Sequence, residues 1–212
     1  MLQVIVDQGR TVLARLRSDG LRFVLGRIGN VIRHKIAPPW EILFCLPVSA
    51  AAPAGLDERG LQLAVVTRLP ELTPIERDAL SRSLGPRTVP VVERRLGLGA
   101  ELHVLRCGDD VAGTWFAVLG RSTPFQHIPL MERDVMILDL RIDPRFRGRG
   151  FAAPLLQASA RHLQERGFER IFATVSVGNL PSIRAFERAG FQSLLRMQRR
   201  FGRYRFDRDH LR

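Results

Sequence analysis

The sequence has little cysteine, almost no lysine and no long apolar run. Only Cys45 and Cys107 occur in 212 residues. Two thiols cannot build a disulfide framework or supply a four-ligand zinc site, and no metal is expected. The most apolar stretch, Trp40 to Leu56, contains Glu41, Pro47 and Pro53. It falls short of the ~20 residues that a membrane-spanning helix needs. No charged segment precedes an apolar run near the start, and Asp7 interrupts what apolar character there is. A targeting signal is therefore not expected, and a cytoplasmic protein is. There are no internal repeats or low-complexity tracts.

What is present reads as globular. Hydrophobic residues make up 45% and charged residues 25% of the chain, a balance that supports a packed core. Lys35 is the only lysine among 33 basic side chains, against 21 acids, for a net charge of +12. Such a surplus first suggests an anionic partner: nucleic acid, a membrane surface or a phosphorylated cofactor. Its distribution narrows the choice. Residues 1–36 carry +5, residues 196–212 carry +5, and the long middle carries only +2. Near the end, Arg203-Tyr204-Arg205-Phe206 interleaves cations and aromatics. At strand spacing both aromatics share one face and both arginines the other, which is ordinary amphipathic patterning. Nucleic acid is not the expected partner.

The first 54 residues are expected to form a basic helical extension with one strand. Leu21, Val24, Leu25, Ile28, Val31 and Ile32 recur at helical spacing behind Asp19, a plausible cap. Pro38 and Pro39 stop that helix, and Trp40–Leu46 reads as a buried strand. The apolar stripe suits packing on the domain or on a second subunit in a homodimer. Peripheral contact of 1–36 with an anionic membrane is the other use for it. Residues 49–60 are small and Pro-rich, a linker before a domain at 55–212.

From Leu61 the pattern becomes regular. Strands are expected at 61–67, 101–107, 111–119, 134–142, 170–177, 191–198 and 202–206. Helices are expected at 73–83, 90–96, 150–166 and 180–189. Thr73 and Glu76 form a capping-box pattern, and Gly108-Asp109-Asp110 signals a hairpin. This order suits an α/β layer fold on a mixed sheet.

The sharpest local feature is Asp143-Pro144-Arg145-Phe146-Arg147-Gly148-Arg149-Gly150, between a strand and a helix. Glycines there let the backbone approach an anion, and the free N–H groups of the helix's first turn point at it. Gly148-x-Gly150-x-x-Ala153 also fits a dinucleotide fingerprint. That fold needs an acid after the next strand, where Ser176-Val177-Gly178 has none, and too little chain follows the loop.

Arg145-x-x-Gly148-x-Gly150 resembles the acyl-CoA pyrophosphate loop of the GNAT-type N-acetyltransferases. Asn179-x-x-Ser182-x-x-x-Phe186-x-x-x-Gly190-Phe191 is similar to that family's second signature, at the expected distance. Leu138 to Pro144 resembles its central strand. The resemblance covers roughly 134–198. It implies a mostly antiparallel mixed sheet, splayed between its central strands and flanked by helices. It implies acetyl-CoA or another acyl-CoA as co-substrate, with Leu140, Arg141 and Ile142 along the pantetheine arm. Backbone N–H groups of Arg147, Gly148, Arg149, Gly150 and Phe151 would hold the pyrophosphate beside Arg145. Asn179 would contact the pantetheine or order the strand end, Ser182 would cap the next helix, and Phe186 would lie near the cofactor.

The reaction implied is acyl transfer from a thioester to a primary amine on a small molecule or peptide. Two departures stand out. Relatives place a tyrosine acid where this chain has Phe186, and one group places a glutamate where it has Thr174. The base is therefore sought among Asp139, Asp134 and Glu132, with His127 in the preceding loop as a further candidate. In a regular strand Asp134 and Asp139 would face opposite sides. Trp115 either lines the acceptor cleft or packs in the core. A CoA-binding module without turnover is the alternative class, and a basic membrane- or nucleic-acid-associated protein is a third.

Overall fold

The computed structural model describes residues 40–51, 55–56, 60–84, 88–120, 130–200 and 203–207. The helix expected at 21–32, the docking roles of 1–36 and His127 lie outside the described residues. Eight strands form one sheet in the order β2-β3-β4-β5-β6-β1-β7-β8. They are β1 (Glu41–Pro47), β2 (Leu61–Val66), β3 (Glu101–Cys107), β4 (Asp110–Leu119), β5 (Asp134–Ile142), β6 (Arg170–Ser176), β7 (Gln192–Arg200) and β8 (Arg203–Asp207). Every neighbouring pair is antiparallel except β5 with β6. The mixed, mostly antiparallel sheet is the expected one.

Helices cover both faces. On one face lie α1 (Pro74–Leu84) and α2 (Thr88–Gly97), and on the other α3 (Ala152–Glu165) and α4 (Leu180–Arg188). The expected capping box starts α1: Thr73 N–H donates to Glu76 Oε2 at 2.8 Å, and Glu76 N–H donates back to Thr73 Oγ1 at 3.2 Å. The α3–α4 layer packs Leu155, Leu156, Leu163 and Phe186 onto Phe44, Trp115, Val135, Ile137 and Ile171. The α1–α2 layer packs Leu80, Val92 and Leu96 onto Leu102, Val104 and Phe116. Each such buried side chain contributes about 1.5–3 kcal/mol. Trp115 is wholly buried and its Nε1–H donates to Ser159 Oγ, so it belongs to the core and not to a cleft. Among the described residues no helix is long and apolar enough to cross a membrane.

The expected boundary at 54/55 does not hold for β1. This strand pairs with β6 along its whole length, from Glu41–Ser176 to Pro47–Arg170, and with β7 on its other edge. It is an interior strand of the same sheet, not part of an appendage. Its alternation explains why: Phe44 and Leu46 face α3 and α4, while Leu43 and Cys45 face the opposite layer. A strand apolar on both faces is stable only between two others.

Candidate active site

Strands β5 and β6 run parallel but stay together only briefly. Asp134, Val135 and Met136 pair with Arg170, Ile171 and Phe172, and no pair follows. Both strands continue, β5 to Ile142 and β6 to Ser176. They splay as expected, leaving an open β5 edge along Leu138 to Ile142. Leu140 and Ile142 pack toward the α3 layer, and Arg141 is exposed.

A bulge shapes that edge. Thr114 of β4 pairs with Arg141, and Phe116 pairs with Leu138. Trp115 alone therefore opposes two residues, Asp139 and Leu140. Asp139 absorbs the extra residue with φ +51°, a left-handed conformation that Asp tolerates better than most residues. Ile137 faces α3 and Leu138 faces α2. In a regular strand Asp139 would follow Ile137. The bulge instead turns its carboxylate to the α2 face, where Arg95 Nη1 meets it at 2.6 Å. The strict alternation expected for Asp134 and Asp139 is thus broken, and both carboxylates lie on one face.

The three acids part company there. Asp134 is buried, with Arg170 Nε at 2.7 Å from one oxygen and Nη2 at 2.9 Å from the other, and it accepts from Met131 N–H. It fastens β5 to β6 and is not free to act as a base. Glu132 is exposed in the turn before β5. Both lie at the opposite end of β5 from the glycine loop, roughly 25 Å away at strand rise. Only Asp139 reaches the splay.

The loop after β5 forms from its own sequence. Asp143 caps a short 3-10 turn, Pro144–Phe146, accepting from Arg145 N–H at 2.9 Å. Its side chain is 2% exposed. Burial works to raise its carboxyl, but the Arg145 backbone and side chain and Arg82 outweigh that and hold it below the usual range. The Asp-Pro pair signals such a turn, yet the sequence reading gave Asp143 no task. Arg145 also spans to Asp110 at 3.0 Å. Its side chain is spent on the protein's acids. Arg147 Nε donates to Ile142 O, and the Arg149 guanidinium lies 5.6 Å from the Phe146 ring.

Arg147 N–H already donates to Pro144 O at 3.4 Å, and the next backbone donor used is Leu155 N–H, to Phe151 O. The N–H groups from Gly148 to Ala153 are left unengaged by the fold, and Pro154 has none to offer. Gly148 and Gly150 adopt φ +74° and +77°, and a Cβ on either would meet nothing within 4 Å. Their backbone is strained for any other residue and is open to a ligand. A row of free N–H groups at a helix N-terminus can hold an anion.

The expected cap is corrected: Asn179, not Ser182, caps α4, its side chain accepting from Ser182 N–H at 3.3 Å, and its own N–H donates to Ser176 O at 2.8 Å at the end of β6. Phe186 is buried, stacked on Phe44 at 5.7 Å and edge-on to Phe191 at 4.9 Å. It is a core ring rather than a cofactor contact.

The base of α3 is held by a buried polar group that the sequence reading missed. Ser159 on α3 bonds both Trp115 and His103 Nδ1, the latter at 3.0 Å. His103 Nε2 lies 3.7 Å from Glu101, which Arg166 grips with 2.6 and 2.7 Å bonds. Burial depresses His103 and keeps the ring neutral. This group fixes α3, and hence its N-terminus, against β3 and β4.

The profile of the acetyltransferase (GNAT) family matches residues 86–191, half of the 212-residue chain. A mycothiol acetyltransferase of Corynebacterium aurimucosum is 36% identical over 58 residues, 27% of this chain and 18% of its own length. The chain thus spans under a fifth of that relative. The glucosamine N-acetyltransferase region of a fungal multi-domain β-N-acetylglucosaminidase superposes with a TM-score of 0.55 at 14% identity. It covers 79% of this chain and 22% of that one. A GNAT-family acetyltransferase from Colwellia psychrerythraea gives 0.54 at 13% identity, covering 73% and 53%. These two likenesses concern the fold.

Proposed function

The chain belongs to the GNAT family of acetyltransferases, and from that premise we propose that it transfers an acyl group, acetyl first of all, from coenzyme A to a primary amine. The observation that carries this reading is the row of unengaged N–H groups from Gly148 to Ala153 beside the open edge of β5. The N–H row would hold the pyrophosphate, and Leu140 to Ile142 would line the pantetheine.

The chain's own groups then divide the work. Backbone N–H groups on the open β5 edge polarise the thioester carbonyl, since such donors are worth most where charge develops. Asp139 offers a carboxylate to the acceptor's ammonium. The amine attacks only once neutral, so a base must take its proton. With Phe186 in the core, the departing thiolate leaves without a phenol donor, which its pKa of ~8.5 allows.

Calorimetry with acetyl-CoA tests the first half, and thiol release with glucosamine, spermidine and a tripeptide with a free N-terminus tests the second. Glucosamine is included because one structural neighbour is described as acting on it. Binding without release from any amine would favour a CoA-binding module without turnover, the reading that Phe186 motivates. Absence of binding would end both readings.

A further inference from the structure

The strand that the sequence assigned to an appendage brings a carboxylate to the splay. Glu41 opens β1 and is the register partner of Ser176, the last residue of β6. Because β5 and β6 are parallel and β1 is antiparallel to β6, Glu41 lies at the end of the sheet where β5 finishes and the glycine loop begins. Its face follows from alternation. Leu43 and Cys45 pack with Val118, Met136 and Phe172 on the α1–α2 side of the sheet, and Glu41 shares their parity. Asp139 points to the same side, to Arg95 of α2. The other side is taken by α3 and α4, whose N-termini flank the splay. An acceptor therefore approaches from the side that Glu41 and Asp139 share.

We infer that Glu41 is the general base of the acyl transfer, taking the proton from the acceptor's ammonium directly or through one water. The inference rests on the acyltransferase reading above. Glu41 stands one strand spacing, about 4.8 Å, from the backbone of β6, within reach of a glutamate side chain and a water. One oxygen of Asp139 is already paired with Arg95 at 2.6 Å, whereas among the described residues no cation or hydrogen-bond donor contacts Glu41. Its neighbours on that face are Ser176 and Thr174 of β6 and Met197 of β7, none of them charged. The charged groups across the splay on that face are Asp139, Arg95 and, by alternation with Leu140 and Ile142, the exposed Arg141. Burial raises the Glu41 carboxyl above its ordinary value, toward the range where a carboxylate accepts a proton readily.

The step balances. Glu41 takes one proton from the ammonium. The freed nitrogen lone pair forms the N–C bond, the C–S bond breaks, and the thiolate takes the second nitrogen proton. The products are amide and free thiol, and Glu41 returns its proton to solvent.

The test compares wild type, Glu41→Gln and Glu41→Asp by acetyl-CoA calorimetry and by the pH profile of thiol release with the three amines named above. Glu41→Gln is expected to bind acetyl-CoA within about twofold of wild type, lose about 100-fold or more in kcat, and lose the acidic limb of kcat/KM. Glu41→Asp is expected to keep that limb at a reduced rate, and it decides the matter if the Gln variant does not fold. An unchanged rate in Glu41→Gln, or a lower rate with the acidic limb intact, overturns the assignment alone. Wild-type protein that releases thiol with none of the amines overturns the acyltransferase reading and the assignment with it.

Discussion

Arg95 Nη1 lies 2.6 Å from Asp139 Oδ2 while its guanidinium sits 4.6 Å above the Phe116 ring. The pair joins α2 to the one strained residue of β5 and sets what an acceptor meets on that face. Asp139→Asn would leave the bulge in place, because Asn tolerates a positive φ as well as Asp does. We expect its acetyl-CoA Kd to stay within about twofold and KM for the amine to rise about tenfold, the scale of one lost charge-assisted bond. Steady-state kinetics with separate titration of the two substrates would show it. A change confined to acetyl-CoA binding would remove Asp139 from the acceptor side.

Gly148 and Gly150 ask for a different measurement. Each holds a positive φ with open space where a Cβ would go. Alanine at Gly150 would cost about 1–2 kcal/mol in backbone strain and set a methyl among the N–H groups. We expect acetyl-CoA affinity to fall about tenfold or more by calorimetry, with only a few degrees lost in Tm. Gly167, at φ +84° with equally open surroundings but at the opposite end of α3 from the loop, is the control. Its alanine variant should lose similar stability and no affinity.

Phe186 occupies the position where the family resemblance puts an acidic tyrosine. Its ring is 3% exposed between Phe44 and Phe191. Phe186→Tyr would bring a hydroxyl into a packed aromatic cluster, and an unsatisfied buried hydroxyl costs about 1–3 kcal/mol. We expect a lower Tm and no gain in kcat. A faster enzyme with unchanged Tm would mean that the ring edge faces the thiolate after all.

The legible parts of this protein were those with a local cause. The Thr73–Glu76 box, the Gly108 hairpin and the loop after Ile142 depend on residues close in sequence, and all form as read. What escaped was long-range. Nothing in Glu41–Pro47 says that it lies between β6 and β7, because alternation reports burial and not neighbours. Asp134 looked like a base because its partner Arg170 lies 36 residues away. Asp139 could be placed only after the bulge was seen, since a left-handed Asp carries no mark that distinguishes it from an extended one.

The buried group under α3 gives a pH prediction. Burial works to raise the Glu101 carboxyl, but the Arg166 fork at 2.6 and 2.7 Å, with the His103 ring 3.7 Å away, overcomes it and holds it at about 2. A carboxyl depressed in the folded state stabilises the fold at pH above its unfolded pKa of ~4.3. That contribution is lost as pH falls from there toward 2. Tm should therefore drop through this window, and the drop should shrink in Arg166→Met, where the depression is relieved. At neutral pH the same variant should be less stable by roughly 2 kcal/mol. That is less than the ~3–5 kcal/mol for breaking a fully buried pair, because the Arg166 side chain is 37% exposed. Since Glu101 and His103 fix α3 through Ser159, acetyl-CoA affinity should weaken alongside stability in acid. Thermal melts and calorimetry across pH 2–7 on both proteins would check this. An Arg166→Met protein with the wild-type pH profile would show that Arg166 does not set the Glu101 carboxyl.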